Sequence, residues 1–349
     1  MPKIEIIPEF TLENNTVLRE APVAYQTWGT LNEAGDNVIV VCHSLTSDTD
    51  AARWWGRFIG PGGALDTEHY FVVCANVIGS PYGTVSPLTI DPATGQPYGV
   101  DFPRATIRDT VALHKQLLDR LGVRQIAFTI GGSMGGMQAL EWAFYGDFVR
   151  GLVPIGVGGR HSAWCIGWSE AQRQAIYADS RWKEGRYDPD DPPSAGLATA
   201  RMIAMITYRS FGSFQTRFGR DTMEHDEALF RVASYLRYQG EKLVERFDAN
   251  CYVHLTQQMD AHDVARGRGD YVDILHQIEQ HALVVGIDSD VLYPLDEQRE
   301  LVRHLPRAQL AILEAPHGHD SFLIELETLS DIVRSWRIST IDPHVLVSE

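Results

Sequence analysis

A serine set among glycines is the strongest chemical signal in this sequence. Residues 131–135 read G-G-S-M-G, which matches the pattern G-x-S-x-G, and they lie between an apolar run and a stretch of helical pattern. A tight turn in this context strains the serine, exposes its hydroxyl and places a helix start beside it, which stabilises negative charge. A plain glycine-rich turn is the alternative, and the G-x-G-x-x-G pattern of a dinucleotide loop does not match. The motif predicts that Ser133 is a nucleophile that forms an acyl-enzyme.

A serine hydroxyl is a weak nucleophile, so it needs a base that takes its proton and an acid that orients the base. With this kind of turn, the chain order is serine, acid, histidine. Two late apolar runs each lead into a loop with two candidates: Asp288 and Asp290 for the acid, then His317 and His319 for the base. Active sites of open α/β sheets form at such carboxyl ends of strands. Residue chemistry alone leaves both choices open, because either member of a pair can be a solvated or turn-anchoring residue.

Two backbone N–H groups must also face the serine to stabilise an oxyanion. One is expected from Met134, the residue after the nucleophile, and the other from the loop after the first apolar run, residues 43–46. Within that loop we favour the Leu45 amide. In the alternative interpretation, His43 and Thr46 only hold the turn by hydrogen bonds.

The elements that must position these residues are visible in the hydrophobic pattern. Continuous apolar runs rich in β-branched residues are typical of strands that are buried on both faces of a parallel sheet. Five runs fit this description: 38–42, 70–74, 126–130, 282–287 and 309–313. Apolar residues recur at helical spacing over 107–121, and further helices are expected from about 135 and over about 320–336. This alternation predicts an α/β fold with a mostly parallel sheet.

The middle of the chain has a different character. Between 160 and 275 few β-rich runs occur; instead there is an aromatic, charged helical stretch (164–182) and a loop rich in Pro and Asp (187–194). We therefore expect a split core, 1–159 with 276–349, and a helical lid of 160–275 inserted into it. The lid is rich in aromatic residues and methionine, which suits a homodimer interface or packing within the lid.

Composition narrows the class of protein. The 349 residues are 44% hydrophobic and 22% charged, as in ordinary soluble globular proteins. The net charge of −16 disfavours nucleic acids and membranes as partners. Four cysteines without a CxxC pair predict no metal site and fit a reducing compartment. The N-terminus has no signal-peptide pattern, and no apolar run reaches the ~18 residues of a membrane span, so we expect a cytoplasmic protein.

Taken together, the motifs of this sequence resemble the homoserine O-acetyltransferase family of acyltransferases. The resemblance covers nearly the whole chain, with matching motifs at 43–46, 53–55, 60–62, 106–109, 131–143, 234–256, 289–294 and 318–323. It implies the α/β-hydrolase fold, a mostly parallel sheet with a helical lid insertion. It also implies a catalytic triad of Ser133, Asp290 and His319, with Asp290 in the motif S-D-V-L-Y-P and His319 in G-H-D.

The same resemblance implies an acyl-transfer reaction. In the family, acetyl-CoA acylates the serine as a substrate, with no permanently bound cofactor, and the hydroxyl of an amino acid then takes the acetyl group. Family members hold the charged ends of the acceptor with an arginine and an aspartate, and the matching positions are Arg201 and Asp320. Arg201 can grip a carboxylate with two hydrogen bonds, and Asp320 can pair with an ammonium group. Tyr208, seven residues beyond Arg201 on the same helical stretch, is expected to face the same side and assist.

The resemblance favours acetyl transfer to L-homoserine, a step towards methionine. Residues 79–87 depart from the commonest family pattern and 161–177 belong to one branch, so serine as the acceptor and succinyl-CoA as the donor are alternatives. An esterase or a non-catalytic, hydrolase-like binding protein is the alternative from a different class, because a triad alone does not distinguish transfer from hydrolysis.

Overall fold

An eight-stranded sheet forms the centre of the computed structural model, which describes residues 1–342. The strands are β1 (Lys3–Thr11), β2 (Val17–Trp28), β3 (Val38–Val41), β4 (Phe71–Ala75), β5 (Ile126–Gly132), β6 (Gly151–Ile155), β7 (His281–Ile287) and β8 (Ala308–Leu313). Their order across the sheet is β1-β2-β4-β3-β5-β6-β7-β8. β2 pairs antiparallel with β1 and with β4, and all other neighbours are parallel, so the predicted mostly parallel sheet is confirmed.

The two faces of the sheet contribute to separate apolar clusters. In β3, Val38 and Val40 belong to one cluster, whereas Ile39 and Val41 belong to the other, and all four are buried. A strand that is covered on both faces has no position for a polar side chain, which explains the continuous apolar run. The edge strand β1 instead has buried residues interrupted by exposed ones.

Helices cover both faces of the sheet. They are α1 (Ala51–Trp55), α2 (Ile107–Arg120), α3 (Met134–Glu141), α4 (Ala163–Tyr177), α5 (Ser194–Thr207), α6 (Phe211–Phe218), α7 (Arg231–Val244), α8 (Ala249–Asp260), α9 (Tyr271–His276), α10 (Leu295–His304), α11 (Ser321–Ile324) and α12 (Leu326–Trp336). α2 and α3 pack on one face of the sheet, and α1 and α12 pack on the other. The helix predicted over 320–336 is interrupted at Glu325, whose ψ of 54° separates α11 from α12.

Six helices, α4–α9, lie in the chain between β6 and β7, together with a short hairpin of Thr222–Met223 and Asp226–Phe230. Residues of α4, α5 and α8 join the same apolar cluster as α2 and α3, so these helices lie on that side of the sheet. The division into a core of 1–159 with 276–349 and a lid of 160–275 stays a prediction, and positions 343–349 lie outside the described residues. None of the described helices has the length and apolar character needed to cross a membrane.

Gly135 in α3 offers a test of how closely this helix approaches the sheet. A Cβ at Gly135 would collide with the Cys42 carbonyl, whereas a Cβ at Gly167 in α4 would meet nothing within 4 Å. We expect Gly135→Ala to destabilise the protein by about 2 kcal/mol or more, because backbone must move. Gly167→Ala is the matched control and should stabilise it by about 0.5–1 kcal/mol, since alanine favours a helix. Urea unfolding of both variants measures the contrast; equal stability would mean that α3 does not need this close approach.

Candidate active site

Ser133 occupies the tight turn between β5 and α3. β5 ends at Gly132 and α3 begins at Met134, so one residue separates the strand from the helix. Ser133 has φ 57° and ψ −127°, a backbone conformation that residues with a Cβ rarely adopt. Its N–H donates to the Ile155 carbonyl at 2.9 Å, which holds the strained turn against β6. The chain therefore forms the strand–turn–helix that the glycine-rich motif predicts.

The His319 imidazole is paired with the Asp290 carboxylate. Nδ1 of His319 lies 2.6 Å from Oδ2 of Asp290, and both side chains are buried. The second carboxylate oxygen of Asp290 accepts hydrogen bonds from the N–H groups of Leu292 and Tyr293, at 2.8 and 3.0 Å. These bonds fix the carboxylate, which in turn keeps the proton of a neutral imidazole on Nδ1 and leaves Nε2 able to accept one.

The two competing residues have other partners. Asp288 accepts a hydrogen bond from the N–H of Ala315 at 2.9 Å, so it joins the two loops that carry the acid and base candidates. His317 is partly exposed, and its Nε2 lies 3.2 Å from Oε1 of Glu325. Of the four residues that the sequence left open, the structure brings only Asp290 and His319 together.

Ser133 and the Asp290–His319 pair lie at the same edge of the sheet. Gly156 directly follows Ile155, the residue that binds the Ser133 N–H, and a Cβ at Gly156 would lie 3.4 Å from both the carboxylate and the imidazole. Nε2 of His319 is buried and has no hydrogen-bond partner within residues 1–342, the serine hydroxyl included. Catalytic hydrogen bonds of this kind often close only when a substrate is bound.

Three aromatic rings enclose the His319 imidazole. The ring centres of Tyr293, Phe322 and Tyr208 lie 5.2, 5.6 and 5.9 Å from its centre. The Tyr293 hydroxyl lies 3.3 Å from Nδ1 of His161, so this ring is itself held in place. Sequence reasoning missed Tyr293 and Phe322, although each stands three residues after a triad candidate in a motif that had been singled out.

The surroundings of His319 change its proton affinity. Burial lowers the pKa of the imidazole, but the nearby carboxylates of Asp290 and Asp320 raise it, and the net pKa lies above the ordinary value of 6.5. The negative charge of Asp290 thus stabilises the protonated form of this imidazole, which would suit it to act as a base.

The loop that carries Leu45 is joined to the serine turn. The Ser44 hydroxyl donates to the Gly132 carbonyl at 3.0 Å, which fixes the loop beside Ser133. The amides of Leu45 and Met134 donate to no other group of the described chain, so both are available to an oxyanion. Met134 is also the first residue of α3, where the positive end of the helix dipole adds to the stabilisation.

His43 holds the same loop by hydrogen bonds, as the alternative interpretation stated. Its Nε2 accepts from the Val77 N–H at 3.1 Å, and its carbonyl accepts from the Gln138 side chain at 3.1 Å. The Thr46 carbonyl accepts from the Arg246 guanidinium at 2.8 Å. These contacts hold the loop and leave the Leu45 amide unused.

Arg201, Tyr208 and Asp320 come together beside the base. The guanidinium carbon of Arg201 lies 5.5 Å from the centre of the Tyr208 ring, and its Nε is buried without a hydrogen-bond partner in the described part of the chain. Asp320 directly follows His319, and its N–H donates to the Tyr208 carbonyl at 3.0 Å. A cation and a carboxylate therefore stand near the imidazole, as the recognition of an amino acid requires.

Arg209 is a charged residue of this region that sequence reasoning missed. Its Nε lies 3.1 Å from Oδ2 of Asp320. Burial raises the pKa of Asp320, and the positive charges of Arg209, His319 and Arg201 counteract this only in part. Arg209 directly follows Tyr208 in the sequence, but nothing local connects it with Asp320, because the two are far apart in the chain.

The arrangement can perform acyl transfer through a serine. It combines a strained serine, a buried imidazole held by a carboxylate, two unused amides, and the charged groups of Arg201, Arg209 and Asp320 close by. Residues 1–342 contain no group of three or more His, Cys, Asp and Glu side chains that could hold a metal ion.

Known proteins share this architecture. A family model described as "alpha/beta hydrolase fold" matches residues 37–326. Among solved structures, the homoserine O-acetyltransferase from Bacillus anthracis has a TM-score of 0.89 at 26% identity and covers 96% of each chain. Esterase E22 has the same TM-score and identity, and the match covers 96% of this chain and 99% of the esterase.

Relatives found by sequence comparison have a higher identity to this chain than these solved structures. The homoserine O-acetyltransferase of Salinibacter ruber is 62% identical over 337 residues, which cover 95% of this chain and 96% of the relative. The homoserine O-acetyltransferase of Chloroherpeton thalassium is 55% identical over 328 residues, which cover 94% and 86%. With this identity over nearly its full length, the chain belongs to the homoserine O-acetyltransferase family, a family of acyltransferase enzymes with the α/β-hydrolase fold.

Proposed function

We propose that this enzyme transfers an acetyl group from acetyl-CoA to the hydroxyl of L-homoserine by a ping-pong mechanism through an acetyl-Ser133 intermediate. The observation that carries the proposal is the pair of opposite charges beside the base: Arg201, whose Nε has no partner in the described chain, and the carboxylate of Asp320. Hydrolysis of an ester does not require two opposite charges that hold the ends of an amino acid. The high identity to proteins named homoserine O-acetyltransferase supports the same acceptor.

In the first half-reaction, Nε2 of His319 takes the proton of the Ser133 hydroxyl as its oxygen attacks the thioester carbonyl. The oxyanion receives hydrogen bonds from the Leu45 and Met134 amides, which are unused otherwise within residues 1–342. The intermediate then collapses, the C–S bond breaks, and the CoA thiolate takes the proton from His319. Acetyl-CoA acts here as a substrate, and no permanently bound cofactor is needed.

In the second half-reaction, the acceptor's hydroxyl replaces the serine as the nucleophile. Arg201 binds its carboxylate with two hydrogen bonds, Asp320 binds its ammonium group, and Tyr208 lines the space between them. His319 takes the hydroxyl proton, the oxygen attacks the acetyl carbonyl, and Ser133 leaves as a hydroxyl after recovering the proton. The product is the O-acetyl ester of the amino acid, which suits a step of methionine biosynthesis.

Hydrolysis is the second candidate function, because esterase E22 shares the fold at a TM-score of 0.89. Serine as the acceptor and succinyl-CoA as the donor are variants of the same mechanism. Release of free thiol from acetyl-CoA and from succinyl-CoA, with L-homoserine, L-serine or no acceptor, distinguishes these reactions. We expect rapid release only with acetyl-CoA and L-homoserine. Equal release without an acceptor would indicate a hydrolase, and absence of release and of acylation at Ser133 would indicate a binding protein.

The predicted homodimer stays a prediction. Lid helices and their flanks expose large apolar side chains, with Phe211 82%, Tyr238 55% and Ile206 47% accessible. A second copy of the chain would cover such a surface.

Removal of the Arg201 guanidinium should damage the second half-reaction selectively. We expect Arg201→Ala to lower kcat/KM for L-homoserine by about 100-fold, the effect of losing a charge-assisted pair of hydrogen bonds. The loss in the rate of acetyl-enzyme formation should be at least about tenfold smaller. Arg231→Ala is the control, because within residues 1–342 the side chain of this exposed arginine of α7 pairs only with exposed Asp221. Equal losses in the two half-reactions would argue against a role of Arg201 in binding the acceptor.

A further inference from the structure

We infer that Arg209 is a positioning residue: it holds the Asp320 carboxylate in place for the acceptor's ammonium group and thereby selects amino acids over hydroxy acids that lack an amino group. The inference rests on the proposed function and deepens it. Asp320 was implied by family resemblance, whereas Arg209 emerges only from the structure.

The contact between Arg209 and Asp320 is an ion pair that leaves the carboxylate available. Nε of Arg209 lies 3.1 Å from Oδ2 of Asp320, and both side chains are largely buried, with 16% of each exposed. That Nε is not aligned for a hydrogen bond with any group of the described chain. A carboxylate held by charge in this way keeps oxygen lone pairs for the N–H groups of a bound ammonium.

Backbone contacts fix the two residues relative to each other. The Asp320 N–H donates to the Tyr208 carbonyl at 3.0 Å, and the Ser210 hydroxyl donates to the Pro316 carbonyl. Between these bonds, Gly318 has φ 76°, and a Cβ there would lie only 2.5 Å from the Ser210 nitrogen. The end of α5 is thus fastened to the loop that carries the base, and the ion pair sits within this connection, unlike a mobile pair on the surface.

A second cation makes the position of Asp320 critical. Arg201 is close enough to lower the pKa of Asp320, as is Arg209. If Arg209 were absent, the carboxylate would turn to Arg201, and each would neutralise the other. Arg209 therefore keeps apart the two charges that must bind opposite ends of one small molecule.

Two acceptors that differ only in the amino group test this role. L-Homoserine and 4-hydroxybutanoate carry the same hydroxyl and carboxylate, so the ratio of their kcat/KM values measures recognition of the ammonium group. We expect Arg209→Gln and Asp320→Asn each to lower this ratio by about tenfold or more. The double variant should lose little beyond the larger single effect, because Arg209 acts through Asp320.

The pH dependence provides a second measurement. Burial raises the pKa of Asp320 and Arg209 opposes this rise, so loss of the guanidinium charge raises the pKa further. A protonated Asp320 cannot pair with an ammonium group. His319 serves both acceptors, so its own titration cancels in the ratio of kcat/KM for L-homoserine to that for 4-hydroxybutanoate. As the solution is made more acidic, this ratio should begin to fall at a higher pH in Arg209→Gln than in the wild type. Arg209→Lys, which keeps the charge, should restore the wild-type position.

A control variant changes an ion pair far from Asp320 in the sequence. Arg231→Gln removes an exposed ion pair of the lid and should leave the ratio unchanged. An equal fall for both acceptors, or single effects that multiply in the double variant, would overturn the role of Arg209. If Arg209→Gln does not fold, Arg209→Lys decides, because a loss as large as that of Asp320→Asn would contradict a role based on charge. Failure of the wild type to acetylate L-homoserine would instead overturn the proposed function.

Discussion

Ser133→Ala is expected to lower kcat by at least about 10⁴-fold, because in the proposed mechanism the serine oxygen carries the acetyl group between the two substrates. The fold should persist. No described group hydrogen-bonds to the serine hydroxyl, so its loss leaves no buried partner unsatisfied. Serine and alanine also adopt the strained φ of 57° at a similar cost, so we expect a change of less than about 1 kcal/mol in the free energy of unfolding.

Intact-protein mass measurement after incubation with acetyl-CoA shows the intermediate directly. Wild-type protein should gain one acetyl group, which L-homoserine then removes, and Ser133→Ala should gain none. Ser180→Ala, which alters an exposed serine between α4 and α5, is the control and should behave as the wild type. Acetylation of the Ser133→Ala variant at the wild-type rate would mean that another residue is the nucleophile and would contradict the proposed mechanism.

The sequence predicted best what depends on local pattern. The strands β3, β5 and β7 are buried along almost their whole length, so each stands out as an apolar run. The glycine-rich motif around Ser133 is equally local, because its glycines and serine are neighbours in the sequence. β1 and β2 were missed because half-exposed antiparallel strands mix polar and apolar residues. β6 was missed because it contains Pro154, and proline is unusual inside a strand.

The choices within the candidate site depend on contacts between distant segments. Asp288 and Asp290 follow the same strand and have the same chemistry, and only the neighbouring loop decides that one binds an amide and the other an imidazole. The role of Arg209 could not be predicted for the same reason, since its partner Asp320 lies on a different loop. Pairings of this kind are set by the fold and leave no trace in residue spacing.

Some residues of the matched motifs have structural rather than chemical roles. Thr106 and Asp109 form a capping box at the start of α2, in which each side chain binds the other's backbone N–H. Arg108, between them, reaches the carbonyls of Asp263 and Val264. Gly318 is required by its positive φ and by its contact with the end of α5. A motif can thus identify a family through residues that build the site without entering its chemistry.

His319, in the last motif, and His317, directly before that motif, are expected to differ strongly in their effect on activity. We expect His319→Ala to lower kcat by at least about 10⁴-fold, since in the proposed mechanism this imidazole takes the proton of Ser133. His317→Ala should change kcat by less than about threefold, because this partly exposed side chain forms a weak surface pair with Glu325. Thiol-release kinetics and thermal unfolding of both variants measure activity and folding separately. A reversed order would mean that the base is His317.

Because His319 is buried, its alanine variant can fail to fold, and Asp290→Asn then tests the same assignment. An asparagine can keep the bonds from the Leu292 and Tyr293 amides, but its NH₂ group facing Nδ1 favours the wrong tautomer, so kcat should again fall about 10⁴-fold. The pH dependence of acetyl-enzyme formation is an independent test of this assignment. In the wild type, acetyl-enzyme formation should decline as the pH falls through the raised pKa of His319, because a protonated imidazole cannot accept a proton. Asp290 raises that pKa and burial lowers it, so Asp290→Asn should move the decline to lower pH, and an unchanged profile would exclude this pair as the source of the proton acceptor.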